Sequence, residues 1–348
     1  MVLRIEHFKS IDSVLARLRT DIPPNPFADA RYHEGDYEWV TDGDRFQLVP
    51  SIAAPFWSPY LYRGQTKRHT PCRPSALRGI SLVQSPFELT AQERAICLLR
   101  RVRLEEFLVA LADHPAAAFA ESNHLRTYPI GIAQHYEVPT DRMDLTQDPE
   151  VAAFFATNEC GVDGRWRPVD DPGHVGVVYR LTPPHDALRS IDPHFEWIGR
   201  QALPRPGEQK AWTLQMPLGL DLEQLPVEVM TFTQRFECGR RLNERFCAGA
   251  QLFPPDVLAT VSNAITSCKT VALRTVDRVL VDYGCPRHKL RQVQAETAEA
   301  FAAWLGVTVV DREERVLSAA EHAVASGAVG NLRSTFVGTV RAVRYAGN

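Results

Sequence analysis

Apolar positions recur at helical spacing in a few places along the 348 residues, and those places divide the chain. Between Ser10 and Arg19, Ile11, Val14, Leu15 and Leu18 fall on one side of a short amphipathic helix. A longer stripe of Ala95, Leu98, Leu99, Val102, Phe107, Leu108 and Leu111 predicts a buried helix ending near Leu111. Thr90-Ala-Gln-Glu93 opens it as a capping box, the hydroxyl taking the third backbone N–H and the carboxylate returning to the cap's own. Arg94, Arg100, Arg101 and Arg103 interrupt the stripe and read as a solvated face. Runs of β-branched and aromatic residues predict strands at Leu61–Gln65, His174–Leu181, Lys210–Met216 and Val227–Phe232, with a short one at Tyr37–Val40. Further helices are expected over Gln234–Phe246, from Pro254-Pro255-Asp256 to Ala264, over Lys289–Leu305 and over Glu313–Ala325. Proline, glycine and acids break all periodicity over 22–47 and 161–173, which read as irregular segments, as does the stretch leading to Arg205-Pro206-Gly207-Glu208-Gln209.

One segment breaks this pattern by its polarity. From Ala133 to Thr157 a cluster of Gln134, His135, Tyr136, Thr140, Asp141, Arg142, Asp144 and Thr146 precedes a strongly signalled helix. Asp148 can cap that helix, Pro149 fits its first position, and Val151, Ala152, Phe154 and Phe155 give it an apolar face. Such a loop on such an anchor is the pattern of a site held by scaffold. Earlier, Leu61-Tyr62-Arg63-Gly64-Gln65 reads as a buried strand that ends by presenting a cation, with a glycine where a ligand or another backbone comes close. The competing reading of Arg63 is a strand-edge ion pair. Lys67, Arg68, His69, Arg73 and Arg78 make the following region locally basic and able to meet phosphate.

Composition narrows the class. With 45% hydrophobic and 23% charged residues and a net charge of −3, the chain reads as a soluble globular protein without an overall basic field. Its length favours two domains, or one with a substantial extension. The seven cysteines, with no C-x-x-C, read as reduced structural thiols and point to the cytoplasm. The first residues lack a signal-peptide core, and no run approaches the ~20 apolar residues that cross a bilayer, so no membrane role is expected. Zinc-type spacing, a phosphate loop, a dinucleotide fingerprint and a Gly-x-Ser-x-Gly turn are all absent, which removes the commonest metal, nucleotide and hydrolase signatures.

Taken in order, Tyr62-Arg63-Gly64-Gln65, Ala133-Gln134-His135-Tyr136-x-x-Pro139-Thr140, Asp144-x-Thr146-x-x-Pro149-x-x-Ala152-x-Phe154-Phe155-Ala156, Gln209 and Leu252-Phe253-Pro254 resemble the FRG domain, named for Phe-Arg-Gly. Tyr62 replaces the phenylalanine, and Asp141 stands where the family has arginine, with Arg142 one place later. The resemblance implies an FRG domain over 1–263, its motif core at 55–263 preceded by a helix and an irregular segment over 1–54, and a helical C-terminal extension over 264–348. A more distant resemblance, to the ADP-ribosyltransferase fold, implies an α+β class with a mixed sheet core and peripheral helices. Its three signature elements fall at Arg63, at Asp144-Leu145-Thr146 with the helix after them, and at Gln209-Lys210-Ala211.

That second resemblance implies NAD as substrate and the transfer of ADP-ribose to a macromolecular acceptor, protein or nucleic acid, by a toxin or an anti-phage effector. Breaking the nicotinamide bond passes through an oxocarbenium-like sugar. Arg63 would hold the diphosphate or ribose beside Gly64; Thr140 and Thr146 would orient the ribose. His135 either bonds a ribose hydroxyl or is a satisfied structural histidine. Ala211 stands where the catalytic glutamate is expected, so Asp144 or Glu208 is left to supply the carboxylate beside Gln209. The alternative is a non-catalytic module that senses a nucleotide or nucleic acid through the basic 67–78 region and the arginine-rich 235–245 helix, and signals through the C-terminal helices.

Overall fold

A computed structural model describes residues 4–22, 37–50, 58–171, 173–183 and 194–341. Part of the irregular segment expected over 22–47, residues 23–36, lies outside the described residues. In chain order, β1 (Arg4–Phe8) leads to α1 (Ile11–Asp21), the hairpin β2 (Tyr37–Asp42) and β3 (Arg45–Pro50), and β4 (Leu61–Gln65). Helices α2 (Ala91–Asp113), α3 (Pro115–Ser122) and α4 (Pro129–His135) precede β5 (Arg142–Thr146) and α5 (Pro149–Thr157). Then come β6 (Asn158–Cys160), β7 (Trp166–Pro168), β8 (Val175–Leu181), β9 (Phe195–Trp197), α6 (Pro204–Glu208), β10 (Ala211–Gln215) and β11 (Val227–Thr233). The rest is α7 (Phe236–Arg245), α8 (Val257–Ser267), β12 (Thr270–Ala272), α9 (Leu273–Asp282), α10 (Leu290–Ala300), β13 (Thr308–Val310), α11 (Ala319–Thr339) and β14 (Val340–Arg341).

The class is α+β, built on a seven-stranded mixed sheet in the order β1-β11-β8-β4-β5-β10-β9, in which the β1–β11 pair alone is parallel. β8 is buried from Gly176 to Leu181 because both faces of the sheet are covered there. On one face α1, α5 and α7 bring Val14, Leu18, Phe154 and Leu242 onto Tyr62, Val178 and Phe232. On the other, Met143, Leu145, Tyr179 and Val229 meet Trp197 and Trp212, whose rings stack at 4.6 Å.

One contact fixes where α5 lies. A Cβ on Gly64 would stand 1.7 Å from the Ala152 carbonyl oxygen, so α5 crosses β4 at a distance only glycine permits. The close neighbour expected of this glycine is therefore backbone. The sheet also opens beside it. β4 follows β8 for five residues but meets β5 at Tyr62↔Thr146 alone, so β4 and β5 diverge beyond that pair.

Beside the sheet, α2 is a spine with two apolar faces. Phe107 and Leu111 join a cluster with α3, α4 and α8, while Leu99 and Val102 pack on Val276, Val279 and Phe301 of the C-terminal region. Its arginines are not the solvated face expected of them: Arg100 donates to the carbonyls of Ala76 and Arg78, Arg103 to that of Cys268, and Arg94 to that of Leu89. The C-terminal region is not purely helical, since β12 and β13 pair in parallel, and its last helix begins at Ala319 rather than Glu313. The 161–173 segment likewise holds β7, paired with β6. Among the described residues no helix is long and apolar enough to cross a membrane.

Candidate functional site

The divergence of β4 and β5 opens a cleft of about 300 Å³, roofed by the end of α4 and by the segment after α7. Three elements supply its polar end. β4 contributes Arg63, which is buried; β5 contributes Asp144; α4 contributes Gln134 and His135. Arg63 Nη1 donates to the Asp144 carbonyl at 2.9 Å and stands 3.8 Å from its carboxylate Oδ2. That same Oδ2 accepts from Gln134 Nε2 at 2.9 Å. Asp144 is thus gripped from two sides and half-exposed, and its Oδ1 has no hydrogen-bond partner among the described residues. An ion pair this open to water contributes at most about 1 kcal/mol, so its consequence is geometric. Arg142, two residues before Asp144 on β5, pairs with Glu196 at 3.1 Å.

Gln134 is itself held. Its Oε1 accepts from Thr140 Oγ1 at 2.5 Å and from Ser75 Oγ at 3.1 Å. Thr140 does not line the cleft; it is buried behind Gln134 and orients it. Thr146 lines the cleft, but its hydroxyl donates to the Gln209 carbonyl at 2.7 Å and so ties β5 to the entry of β10.

Gln209 is a tie between elements. Its Nε2 donates to the Leu252 carbonyl at 2.9 Å, which turns Oε1 toward His135 Nδ1 at 2.8 Å. An acceptor facing Nδ1 requires that nitrogen to carry the proton. In the neutral ring Nε2 is then a bare acceptor, and it is buried without a partner among the described residues. His135 consequently offers the cleft a fixed lone pair. Glu208 lies elsewhere, in a separate depression with Asp148, Glu150 and Lys210, and does not reach the cleft. Ala211 is fully buried.

The other end of the cleft is aromatic, and the strand-and-helix pattern gave little sign of it. Phe155, Trp166 and Phe253 lie within 5.0–5.9 Å of one another, Trp166 stacked on Phe253 at an interplanar angle of 20°. All three are half-buried and line the cleft beside Tyr62. Phe155 and Phe253 belong to motifs visible in the sequence; Trp166 sits in the proline- and glycine-rich stretch read as a loop. Its seat needs Gly249, at φ +85°, where a Cβ would come within 2.5 Å of the indole. Arg205 binds the two ends together: it donates to the His135 carbonyl at 3.3 Å and lies 5.3 Å over the Phe253 ring.

Arg78 also reaches the polar end. Burial first, and the nearby Arg63 guanidinium second, push its pKa below the usual arginine range, against the pull of Asp144. Two cations held this close favour an anion between them. Two other basic residues of that run are engaged elsewhere: Arg68 pairs with Glu223, and Arg73 is buried on the carbonyls of Ile80 and Leu218. In α7, Arg240 pairs with Glu237 and Glu244, Arg241 with Asp12, and Arg245 with Glu150. Among the described residues no group of three or more His, Cys, Asp or Glu is placed to hold a metal ion.

The arrangement suits a ligand with a planar ring at one end and an anionic group at the other, joined by hydroxyls within reach of His135. No curated protein and no solved structure matches the chain. The family model of the FRG domain matches residues 58–162, a span that begins just before β4, ends in the turn after β6, and contains Arg63, Gly64, Gln134, His135, Asp144 and Thr146.

Proposed function

We propose that the cleft binds NAD and transfers its ADP-ribose to a macromolecular acceptor. One observation carries the reading: the diverging strands bring Arg63 and Asp144 together between an unsatisfied His135 Nε2 and an aromatic wall. A planar nicotinamide or adenine ring suits Phe155, Trp166 and Phe253. The diphosphate suits Arg63 and Arg78, and a ribose hydroxyl can donate to His135 Nε2. Asp144 is then the carboxylate that meets the positive charge growing on the ribose, preorganised by Gln134 and Arg63 so that little rearrangement is needed during reaction. Gln209 and Thr140 act through His135 and Gln134 as positioning residues.

A direct test incubates the chain with NAD labelled in its adenylate half and a cell lysate. Label should appear on a macromolecule and nicotinamide in solution, and both should fall at least about a hundredfold in Asp144→Asn. Tight NAD binding with no label transfer and no nicotinamide would instead support a second reading, a cleft that senses a nucleotide without turnover. That reading is favoured by a specific observation: Gln209 has both amide ends engaged, Ala211 is buried, and Glu208 faces another depression, so the entry of β10 offers the cleft no carboxylate.

A further inference from the structure

Glu137 stands on the rim of the cleft and had no role in the reading above. It ends α4 in a tight cap: the Val138 N–H reaches back to the Ala133 carbonyl at 3.1 Å and the Glu137 N–H to that of Gln134 at 3.0 Å. The residue at this place must turn left-handed, and Glu137 does so at φ +64°. Glycine is the usual occupant because a side chain there is strained by about 1 kcal/mol. Among the described residues five non-glycines have positive φ, and of these Glu137 lines the cleft. An outlier retained at a site rim is evidence that its side chain is wanted there.

The carboxylate is also free. It is exposed and makes no hydrogen bond or ion pair with another described residue. Partial burial first and the Glu137 charge second push the Cys160 thiol up, and Cys160 pairs across the β6–β7 ladder with Trp166 of the cleft wall. The cleft thus holds two carboxylates of opposite character: Asp144, fixed by Arg63 and Gln134 inside, and Glu137, unbound at the mouth.

We infer that Glu137 is the general base that activates the acceptor, while Asp144 stabilises the sugar. This rests on the transfer reading. The acceptor O–H or N–H oriented at the mouth gives its proton to the Glu137 carboxylate as its lone pair forms the new bond to the anomeric carbon. The carbon–nitrogen bond to the pyridinium breaks, and its electron pair leaves with neutral nicotinamide. Charge and atoms balance without any further reagent. A base at the open mouth also admits an acceptor carried on a large partner, which a buried base would exclude.

The test compares the unaltered chain with Glu137→Gln and Glu137→Gly, measuring NAD affinity by calorimetry and the rate of nicotinamide release in the presence of the cell lysate that supplies the acceptor. Affinity should stay within about twofold, while the rate falls on the order of a hundredfold or more in both variants. Glu137→Gly also relieves the backbone, so its melting temperature should equal or exceed that of the unaltered chain. Added formate, a small proton acceptor, should restore part of the rate in Glu137→Gly, an outcome a merely structural role would not give. An active unaltered chain whose variants retain their rate within threefold overturns this inference and leaves the transfer reading standing. An unaltered chain that binds NAD and releases no nicotinamide overturns both.

Discussion

Gly64 and Arg63 are adjacent and do opposite things. The glycine is consumed by the fold, because α5 passes so near β4 that a methyl group has nowhere to go. Gly64→Ala should therefore destabilise the chain by about 3 kcal/mol or prevent folding, read as a shift in the denaturant midpoint. Wild-type stability in that variant would mean that α5 does not cross β4 so closely. The arginine serves the cleft. Arg63→Ala removes one hydrogen bond to a strand carbonyl, a loss of about 1 kcal/mol. It should weaken NAD binding by roughly tenfold to a hundredfold through the lost charge-assisted contact, measured by calorimetry on the folded variant. Arg63→Lys should not restore that affinity, since a point charge lacks the fork that reaches both the Asp144 carbonyl and a ligand. Asp144→Asn keeps the acceptor for Gln134 and separates charge from shape.

At the scale of elements, the helix starts are the features best read ahead of the structure. The Thr90–Glu93 box forms with both of its hydrogen bonds, and Asp148 accepts from the Glu150 N–H at 2.8 Å. Glu93 does more than the box requires. Its hydrogen bond from the Ser81 hydroxyl, then those from the Thr90 and Ser81 backbone, hold its pKa down to about 2, from an ordinary 4.5. A carboxyl lowered on folding adds stability that is fully present above its unfolded pKa and lost as pH falls through the folded one. The chain should thus lose stability between about pH 4.5 and about pH 2 through this group, and Glu93→Gln should flatten that part of the melting profile. An unchanged slope would contradict the assignment.

The same scale shows what the sequence could not convey. Strands β4, β8, β10 and β11 and helices α1, α2, α5 and α7 were legible because each buries a run or stripe of apolar residues. β1 was not, since four of its five residues are exposed and it exists only by pairing with β11. β7 and β9 are three-residue strands with no period to detect. In the site, Arg63, His135 and Asp144 were legible as polar residues set in apolar or motif-rich surroundings. The aromatic wall was not: Phe155, Trp166 and Phe253 are nearly a hundred residues apart at the extremes, and meet only through the turn at Gly249. Glu137 was hidden for another reason. Its left-handed backbone is a property of the α4 cap, and a glutamate there carries no signal in sequence. Glu208 is adjacent in sequence to Gln209, yet at the end of the short α6 it lines a different depression.

Across the whole molecule, α2 joins the cleft-bearing sheet region to the C-terminal layer, and a buried glutamate fastens the joint. Glu106 is fully buried, and its Oε1 accepts from the Ala272 N–H at 2.9 Å and from Arg312 at 2.7 Å. Glu106→Ala leaves the Ala272 N–H without its acceptor while Arg312 keeps access to water, so it should cost about 2 kcal/mol. Amides of β12 and α9 should then exchange faster, while those of β8 change little, as hydrogen exchange can show. Equal acceleration in β8 would mean that the sheet and the C-terminal layer open together. The cleft lies on the sheet side of this joint. Its polar residues come from β4, α4, β5 and the segment carrying Arg78, and Gln209 and Arg205 bind that group to the segment carrying Phe253. The most direct check on the account as a whole is the rate of nicotinamide release from NAD at saturation with cell lysate present, for the unaltered chain and for folded Asp144→Asn. The account predicts sustained release by the first and a loss of at least about a hundredfold in the second. Release that is absent from the unaltered chain, or undiminished by the substitution, would contradict it.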